Sequence, residues 1–185
     1  CWAACDRLTR VARRLGLAER EAHWREQAQA IRAGILKEAW NDEIESFVDG
    51  FGGSHVDASL LLLPELGFLA PDDERFLKTL ACIEARLRRG DHLIRYEAAD
   101  DFGLPRTSFI VCTFWYVNAL WAVGREDEAR TIFETMLAAR NSLGLLSEDI
   151  DFDTLELWGN YPQTYSMVGL INSAMRLSRS WEEAF

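Results

Sequence analysis

Three acidic residues stand close together late in the sequence, next to aromatic and amide side chains. They are Glu148, Asp149 and Asp151, and Trp158 and Tyr161 follow them within a few residues. Carboxylates can transfer protons, and flat apolar rings can stack against a sugar ring. This composition is compatible with a carbohydrate site whose walls include Trp158 and Tyr161. A solvated acidic loop has the same composition and is the commoner case, and the spacing does not decide between the two.

A second group that could bind a polar ligand is Arg95 with Tyr96, followed by Asp100 and Asp101. The planar guanidinium group carries five N–H donors, which can hold sugar hydroxyls more selectively than the point charge of a lysine. Arg95 is therefore a candidate for holding a substrate, and Tyr96 for lining its site. The alternative is an ordinary salt bridge from Arg95 to one of the two loop aspartates.

The remaining histidines and cysteines indicate no catalytic or metal centre. His55 and Asp57 are close in sequence, but no G-x-S-x-G motif or suitably placed cysteine supplies a nucleophile for them to activate. We interpret Asp57 as the N-cap of the next helix and expect His23 and His92 at the surface. The four cysteines have no C-x-x-C spacing, so we expect no bound metal, no cofactor and a reducing, cytoplasmic location.

Seven segments have helical periodicity, and they are of two alternating kinds. Amphipathic segments, which we expect in an outer layer, are 18–40, 72–89 and 125–140. Segments that are apolar on nearly every side, which other helices must enclose, are 57–63, 109–123 and 163–177. Residues 1–15 have an arginine-rich side, but their place in the alternation makes them an inner helix. The sequence therefore predicts an all-α fold.

Loop lengths alternate in step with the helices. Inner-to-outer connections are short, whereas the outer-to-inner connections are the long stretches 41–56, 90–108 and 141–162. Long irregular loops in a compact domain usually have a function. When helical hairpins stack side by side, all loops of one kind lie at the same end of the array. We therefore expect the three long loops to converge on one face and to form the active site there.

Composition limits the class of protein. The 185 residues fit a single domain, and 49% of them are hydrophobic, which is enough for a sizeable core. With 20 basic and 30 acidic residues the net charge is −10, which argues against a nucleic-acid partner. No apolar run has the length of a membrane span. The chain starts at Cys1 with no basic or apolar leader, which we interpret as a start inside a longer protein.

Six short blocks, in this order along the chain, resemble glycoside hydrolase family 15, which includes glucoamylases, glucodextranases and some bacterial trehalases. The blocks are CWAACDR at 1–7, DASLLLLP at 57–64, RY at 95–96, CTFW at 112–115, LSED at 146–149 and GNYPQ at 159–163. The resemblance implies an (α/α)6 barrel with its active site where the outer-to-inner loops meet. Seven helices that begin on an inner one would be the second half of such a barrel, so that 1–185 would be one partial domain.

The same resemblance assigns roles to individual residues. Glu148 takes the position of the catalytic base, and Arg95 resembles the arginine that holds the non-reducing glucose. Tyr96, Trp158 and Tyr161 are the expected walls. Family members invert the anomeric configuration, and their general acid lies in a tryptophan–glutamate motif upstream of the position of Cys1. The expected partners are therefore the N-terminal remainder of the polypeptide and an α-glucan, oligosaccharide or trehalose.

The substrate and two rival functions stay open at this point. Residues 47–51 differ from the pattern of well-studied glucoamylases, so trehalose, maltooligosaccharides and isomaltooligosaccharides all remain candidates. A non-catalytic helical-repeat module that binds a protein is the first rival. Another helical-barrel enzyme, such as a polysaccharide lyase or a phosphorylase, is the second. Because the general acid would be missing, we expect residues 1–185 alone to be inactive and to expose apolar helix faces.

Overall fold

The computed structural model describes residues 1–99, 101 and 103–178, and this part of the chain is mostly helical. Its α-helices are α1 (Trp2–Arg14), α2 (Ala18–Glu38), α3 (Glu74–Leu87), α4 (Ile110–Ala122), α5 (Glu126–Ala138) and α6 (Thr164–Ser178). Each coincides with one of the segments predicted from periodicity. The prediction of a helical protein is confirmed at this level.

The segment predicted as a helix over 57–63 is instead a short 3-10 helix, Ala58–Leu62. The Asp57 carboxylate accepts a hydrogen bond of 2.7 Å from the backbone N–H of Ser59, so its predicted N-cap role is confirmed. Pro64 follows almost at once, and proline has no backbone N–H with which to continue a helix. The five residues between these limits are too few for a stable α-helix.

The long loops carry short antiparallel strands, so the expectation of a purely α-helical chain is corrected. These strands are β1 (Trp40–Asn41), β2 (Ser46–Phe47), β3 (Arg88–Arg89), β4 (His92–Leu93), β5 (Ser108–Phe109), β6 (Asp149–Ile150) and β7 (Leu157–Trp158). They form the pairs β1–β2 and β3–β4 and the three-stranded sheet β5–β6–β7. Several strand residues are buried, and buried backbone groups need partners, which these ladders supply.

Helix α4 is the centre of the core. Ten of its 13 residues are buried, as its apolar sequence predicts. It packs against α5, α6 and the 3-10 helix. Helices α3 and α5 each turn one apolar face inward, as predicted for outer helices. Their buried side chains include Phe76, Leu80 and Ile83 on α3 and Ile132, Phe133 and Met136 on α5.

A polar cluster joins the three helices of this core. The hydroxyl of Tyr116 on α4 donates a hydrogen bond of 2.5 Å to Glu84 on α3. Arg125, just before α5, donates to the same carboxylate at 2.7 Å, and Arg88 donates to Glu128 at 2.7 Å. Burial, followed by the bond to Glu84, raises the pKa of Tyr116, so the hydroxyl stays a donor. The cluster fixes the relative positions of α3, α4 and α5.

Helix α6 lies very close to α4 because residue 169 is a glycine. A Cβ atom at Gly169 would lie 2.7 Å from the ring of Phe114, which is closer than carbon atoms can approach. Other residues of α6 are apolar but exposed, in contrast to the enclosed helix predicted for 163–177. Its exposed residues are Tyr165, Val168, Ile171 and Met175.

Helices α1 and α2 pack chiefly on each other. Only Thr9 and Ala12 of α1 are buried, whereas Leu8, Val11 and Leu15 are exposed. Helix α1 is therefore not enclosed by the other described helices, as its predicted inner position would require. Of the helices described, none is both long enough and apolar enough to cross a bilayer.

His92 is buried, although its sequence context predicts a surface position. It lies in β4 with 4% of its surface exposed, and its Nδ1 atom has no hydrogen-bond partner among the described residues. Burial lowers the pKa of this imidazole, and the charge of Asp91 acts in the opposite, weaker direction. The folded protein therefore favours the neutral form of His92.

We expect acidification to destabilise the fold through His92. Because the pKa of His92 is lower in the folded than in the unfolded state, the unfolded chain binds the proton more readily. The free energy of unfolding should therefore fall as the pH drops below about 6.5. His92→Phe should lose this part of the decline in denaturant titrations at about pH 7.5 and about pH 5.5. The exposed His23, substituted in the same way, is the control and should keep it. Equal declines in wild type and His92→Phe would contradict the assignment.

Candidate functional site

The second and third long loops meet in the sheet β5–β6–β7. Phe109 pairs with Asp149, and Asp149 pairs in turn with Trp158. At the edge of this sheet, the backbone N–H of Ile110 donates a hydrogen bond of 3.0 Å to the carbonyl of Glu148. Ile110 is also the first residue of the buried helix α4. The acidic loop is therefore anchored directly to the core.

Two cavities open beside this sheet. The first, about 780 Å³, is lined by Arg95, Tyr96, Gly103, Leu104, Pro105, Arg106, Thr107, Phe109, Glu148 and Asp149. The second, about 500 Å³, is lined by Glu65, Arg95, Phe109, Val111, Trp115, Asn118, Glu148, Tyr165, Val168, Gly169 and Asn172. Arg95, Phe109 and Glu148 border both cavities. Three of the predicted site residues, Arg95, Tyr96 and Glu148, are thus brought together.

The first long loop contributes less than predicted. Within the described residues, no side chain of 41–56 lines either cavity. The loop reaches the site through Asp57, which directly follows it. The Asp57 carboxylate accepts a hydrogen bond of 3.3 Å from Nε of Arg95. The prediction that three loops converge is therefore corrected: the second and third long loops meet at the site, and Asp57, at the end of the first, supports Arg95 there.

The carboxylate of Glu148 is partly exposed and held on one side. Its Oε2 atom accepts hydrogen bonds from the side-chain amide of Asn160 at 2.8 Å and from the backbone N–H of Asn160 at 3.2 Å. The backbone N–H of Glu148 donates to the carbonyl of Asn160 at 2.9 Å. Glu148 forms no ion pair within the described ranges. It is therefore open to a ligand from the cavities.

Arg95 has one fixed acidic partner and lies beside an aromatic ring. Its side chain is 49% exposed, and its guanidinium carbon lies 5.9 Å from the ring centroid of Tyr96. The alternative predicted from sequence was a bond to Asp100 or Asp101; the observed partner is Asp57, and Asp100 lies outside the described residues. One bond to Asp57 leaves further N–H donors of this exposed group for a ligand.

Asp149 has an unusual electrostatic environment. Burial, followed by the charge of the adjacent Glu148, raises the pKa of Asp149 to about 6. A carboxyl group with a raised pKa at the wall of a cavity is typical of functional sites, because such environments serve proton transfer rather than stability. Asp149 can therefore be protonated in mildly acidic solution.

Trp158 and Tyr161 lie on the same loop as Glu148 but are not cavity walls in this structure. They are 54% and 47% exposed, and neither lines either of the two cavities. The side-chain amide of Asn141 donates a hydrogen bond to the Tyr161 hydroxyl. Trp115 on helix α4 is partly buried and lines the second cavity. Roles for Trp158 and Tyr161 in binding stay predictions.

Sequence reasoning assigned no role to three residues of the site. Arg106 lines the first cavity, and no local pattern distinguishes it from any other loop arginine. Phe109 directly precedes the apolar helix and was counted with it. Asn160 belongs to the GNYPQ block, which carries the resemblance but shows no function in itself.

In the described part of the chain no group of acidic, histidine and cysteine side chains could hold a metal ion, and all four cysteines are free thiols.

Comparison with known proteins gives one family and a set of relatives. The family model described as "Glycosyl hydrolases family 15" matches residues 1–175. The trehalase of Thermoplasma acidophilum is 39% identical over 186 residues, which cover 100% of this chain and 31% of the relative. The trehalase of Thermoplasma volcanium is 37% identical, covering 97% of this chain and 29% of the relative. The trehalase of Mycobacterium tuberculosis is 34% identical, covering 100% of this chain and 27% of the relative.

Solved structures share the fold at lower identity. A protein described as a wild-type glycosidase superposes with a TM-score of 0.74 at 23% identity, covering 85% of this chain and 45% of the other. A Streptococcus pneumoniae structure from a family of metal-independent α-mannosidases superposes with a TM-score of 0.76 at 17% identity, covering 95% of this chain and 44% of the other. The chain thus spans less than a third of the length of these three curated relatives and under half of these two structures.

The raised pKa of Asp149 leads to a stability prediction. Its protonated form is favoured in the folded state, so ionisation costs stability as the pH rises from about 4 to about 6. Asp149→Asn should therefore raise the free energy of unfolding by about 1 to 3 kcal/mol at about pH 8, and by much less at about pH 4. Denaturant titrations at both pH values test this. Asp153→Asn, an exposed change on the same loop, is the control and should give no such gain. A destabilised Asp149→Asn protein at about pH 8 would contradict the prediction.

Proposed function

Because the chain belongs to glycosyl hydrolase family 15, we propose that it supplies the general base of an inverting glycosidase that cleaves α-glucosidic bonds, and that Glu148 is this base. The observation that carries the proposal is the position of the Glu148 carboxylate. It borders both cavities, and the described residues form no ion pair with it and donate hydrogen bonds to only one of its oxygens. A base must reach water beside its substrate, and this carboxylate can.

The proposed reaction is a single displacement at the anomeric carbon. Glu148 takes a proton from a water molecule while the water oxygen bonds to that carbon. The glycosidic bond breaks, and its oxygen takes a proton from a second carboxyl group on the opposite face. Inverting enzymes separate the two carboxyl groups by about 6.5 to 9.5 Å, which leaves room for the water. The product of an α-glucoside would be a β-sugar.

Arg95 and the surrounding rings would hold the sugar. The guanidinium group at the border of the two cavities can donate several hydrogen bonds to hydroxyls, and Asp57 fixes its direction. Tyr96 and Phe109 line the first cavity and offer flat apolar surface. Trp158 and Tyr161 would extend this surface along the exposed rim of the loop. Arg95 is thus the proposed substrate clamp.

We propose trehalose as the first substrate to test, and α-glucans or maltooligosaccharides as the second. Trehalose is favoured because several curated relatives at 34–39% identity are named trehalase. A glucoamylase-like activity on glucans is the second candidate, because it needs the same base and the same contacts to a glucose ring. Neither reading requires a metal or an organic cofactor.

The general acid of this proposal lies outside residues 1–185. Asp149 is next to Glu148 in the chain, and an adjacent residue is poorly placed to act from the opposite face of the sugar. We propose that the chain is the C-terminal half of an (α/α)6 barrel, whose other half supplies the acid and the rest of the wall. The share of each relative that it spans and the exposed apolar sides of α1 and α6 support this.

Substitution of the proposed base should abolish turnover. In the complete natural polypeptide, Glu148→Gln keeps the shape of the side chain but cannot accept the water proton. We expect kcat on trehalose or maltose to fall by about 100- to 10,000-fold or more. Proton NMR of the first product formed by wild type should show the β-anomer.

Controls make this test specific. Glu156→Gln changes an exposed carboxylate of the same loop that lines neither cavity, and it should keep wild-type turnover. Circular dichroism should show that both variants are folded. Undiminished hydrolysis by Glu148→Gln would sink the assignment of the base, and an α-anomer as the first product would sink the inverting mechanism.

The partial-domain proposal has its own test. Residues 1–185 expressed alone should hydrolyse neither substrate and should self-associate through the exposed apolar side chains of α1 and α6. Co-expression with the remainder of the natural polypeptide should restore both hydrolysis and a defined size in light scattering. Turnover by the isolated chain would show that it contains its own acid, and Asp149 would then be the first candidate.

A further inference from the structure

We propose that Asn160 is the positioning residue of Glu148, and that the turn at Gly159 and Asn160 decides which carboxylate oxygen takes the proton. This inference rests on the proposed function of Glu148 as a base. It adds a residue that acts on the substrate and the water only through the orientation of Glu148.

The hydrogen bonds to Glu148 are strongly asymmetric. Both donors of Asn160, its side-chain amide at 2.8 Å and its backbone N–H at 3.2 Å, reach the same oxygen, Oε2. Oε1 accepts no hydrogen bond from any described residue. An oxygen with two donors is the poorer proton acceptor, so Oε1 is the atom left to take the proton of water. The two bonds also prevent the carboxylate from rotating.

Gly159 allows this close approach. A Cβ atom at this position would lie 3.0 Å from both Cβ and Oε2 of Glu148, where the neighbouring atoms would have to move. Its φ angle of +79° is also one that side chains rarely adopt. A glycine at residue 159 therefore lets the backbone turn around the carboxylate and places both donors of Asn160 on one side of it.

The turn itself is fixed by the rest of the loop. The backbone N–H of Gln163 donates to the carbonyl of Leu146 at 3.0 Å, and Leu146 is fully buried. The carbonyl of Ser147 accepts a bond of 2.7 Å from the hydroxyl of Ser166 on α6. Residues on both sides of the turn are thus tied to the core, so Asn160 holds Glu148 from a rigid position.

Two variants of the complete polypeptide test the inference. Asn160→Ala removes one donor and should lower kcat on the proposed substrate by about 10- to 100-fold. KM should change by no more than about twofold, because the groups that line the cavities remain. Asn160→Asp keeps the shape of the side chain but replaces the donor amide with a carboxyl group against Oε2. It should lower kcat at least as much, again with little change in KM.

The control and the base variant separate the possible failures. Asn41→Ala removes another asparagine that fixes a loop, bonded to the carbonyl of Gly53 at 2.9 Å and lining neither cavity, and should keep the wild-type kcat. If Glu148→Gln is inactive while both Asn160 variants keep the wild-type kcat, the inference about Asn160 is overturned and the proposed base stands. If Glu148→Gln is fully active, both are overturned.

Discussion

The site depends on one backbone hydrogen bond, from the N–H of Ile110 to the carbonyl of Glu148. The first N–H groups of a helix have no partner within the helix, so α4 begins with donors that something else must satisfy. Here the acidic loop satisfies one of them. Because α4 is the most completely buried of the described helices, the core places the loop.

Arg95 and Glu148, the two charged groups that border both cavities, are restrained in different ways. Arg95 is braced by a carboxylate from outside its own loop, whereas Glu148 is held by neutral amide donors. An ion pair between the two would neutralise both and close the site. Separate partners leave a cation and an anion facing the same space, an arrangement suited to a neutral ligand that is rich in hydroxyl groups.

Periodicity located the six α-helices, because helix burial follows from patterns within a single segment. It failed at 57–63, where a cap and a proline leave too little chain, and at His92, whose burial depends on packing against distant residues. Loop lengths indicated where the site lies, but pairing such as Phe109 with Asp149 joins residues 40 positions apart and has no local signal. The family resemblance identified Glu148 and Arg95 as candidates, whereas the contacts of Asn160 required coordinates.

The contact between Gly169 and Phe114 bears on how the specificity of such a site could change. Helix α6 contributes Tyr165 and Asn172 to the wall of the second cavity, and its close approach to α4 requires the glycine at residue 169. A larger residue there would push the wall outward without altering the polar side chains that line it. The dimensions of the binding space are therefore encoded partly in the packing of α6 on α4, so relatives with the same polar lining residues can differ in the size of sugar they admit.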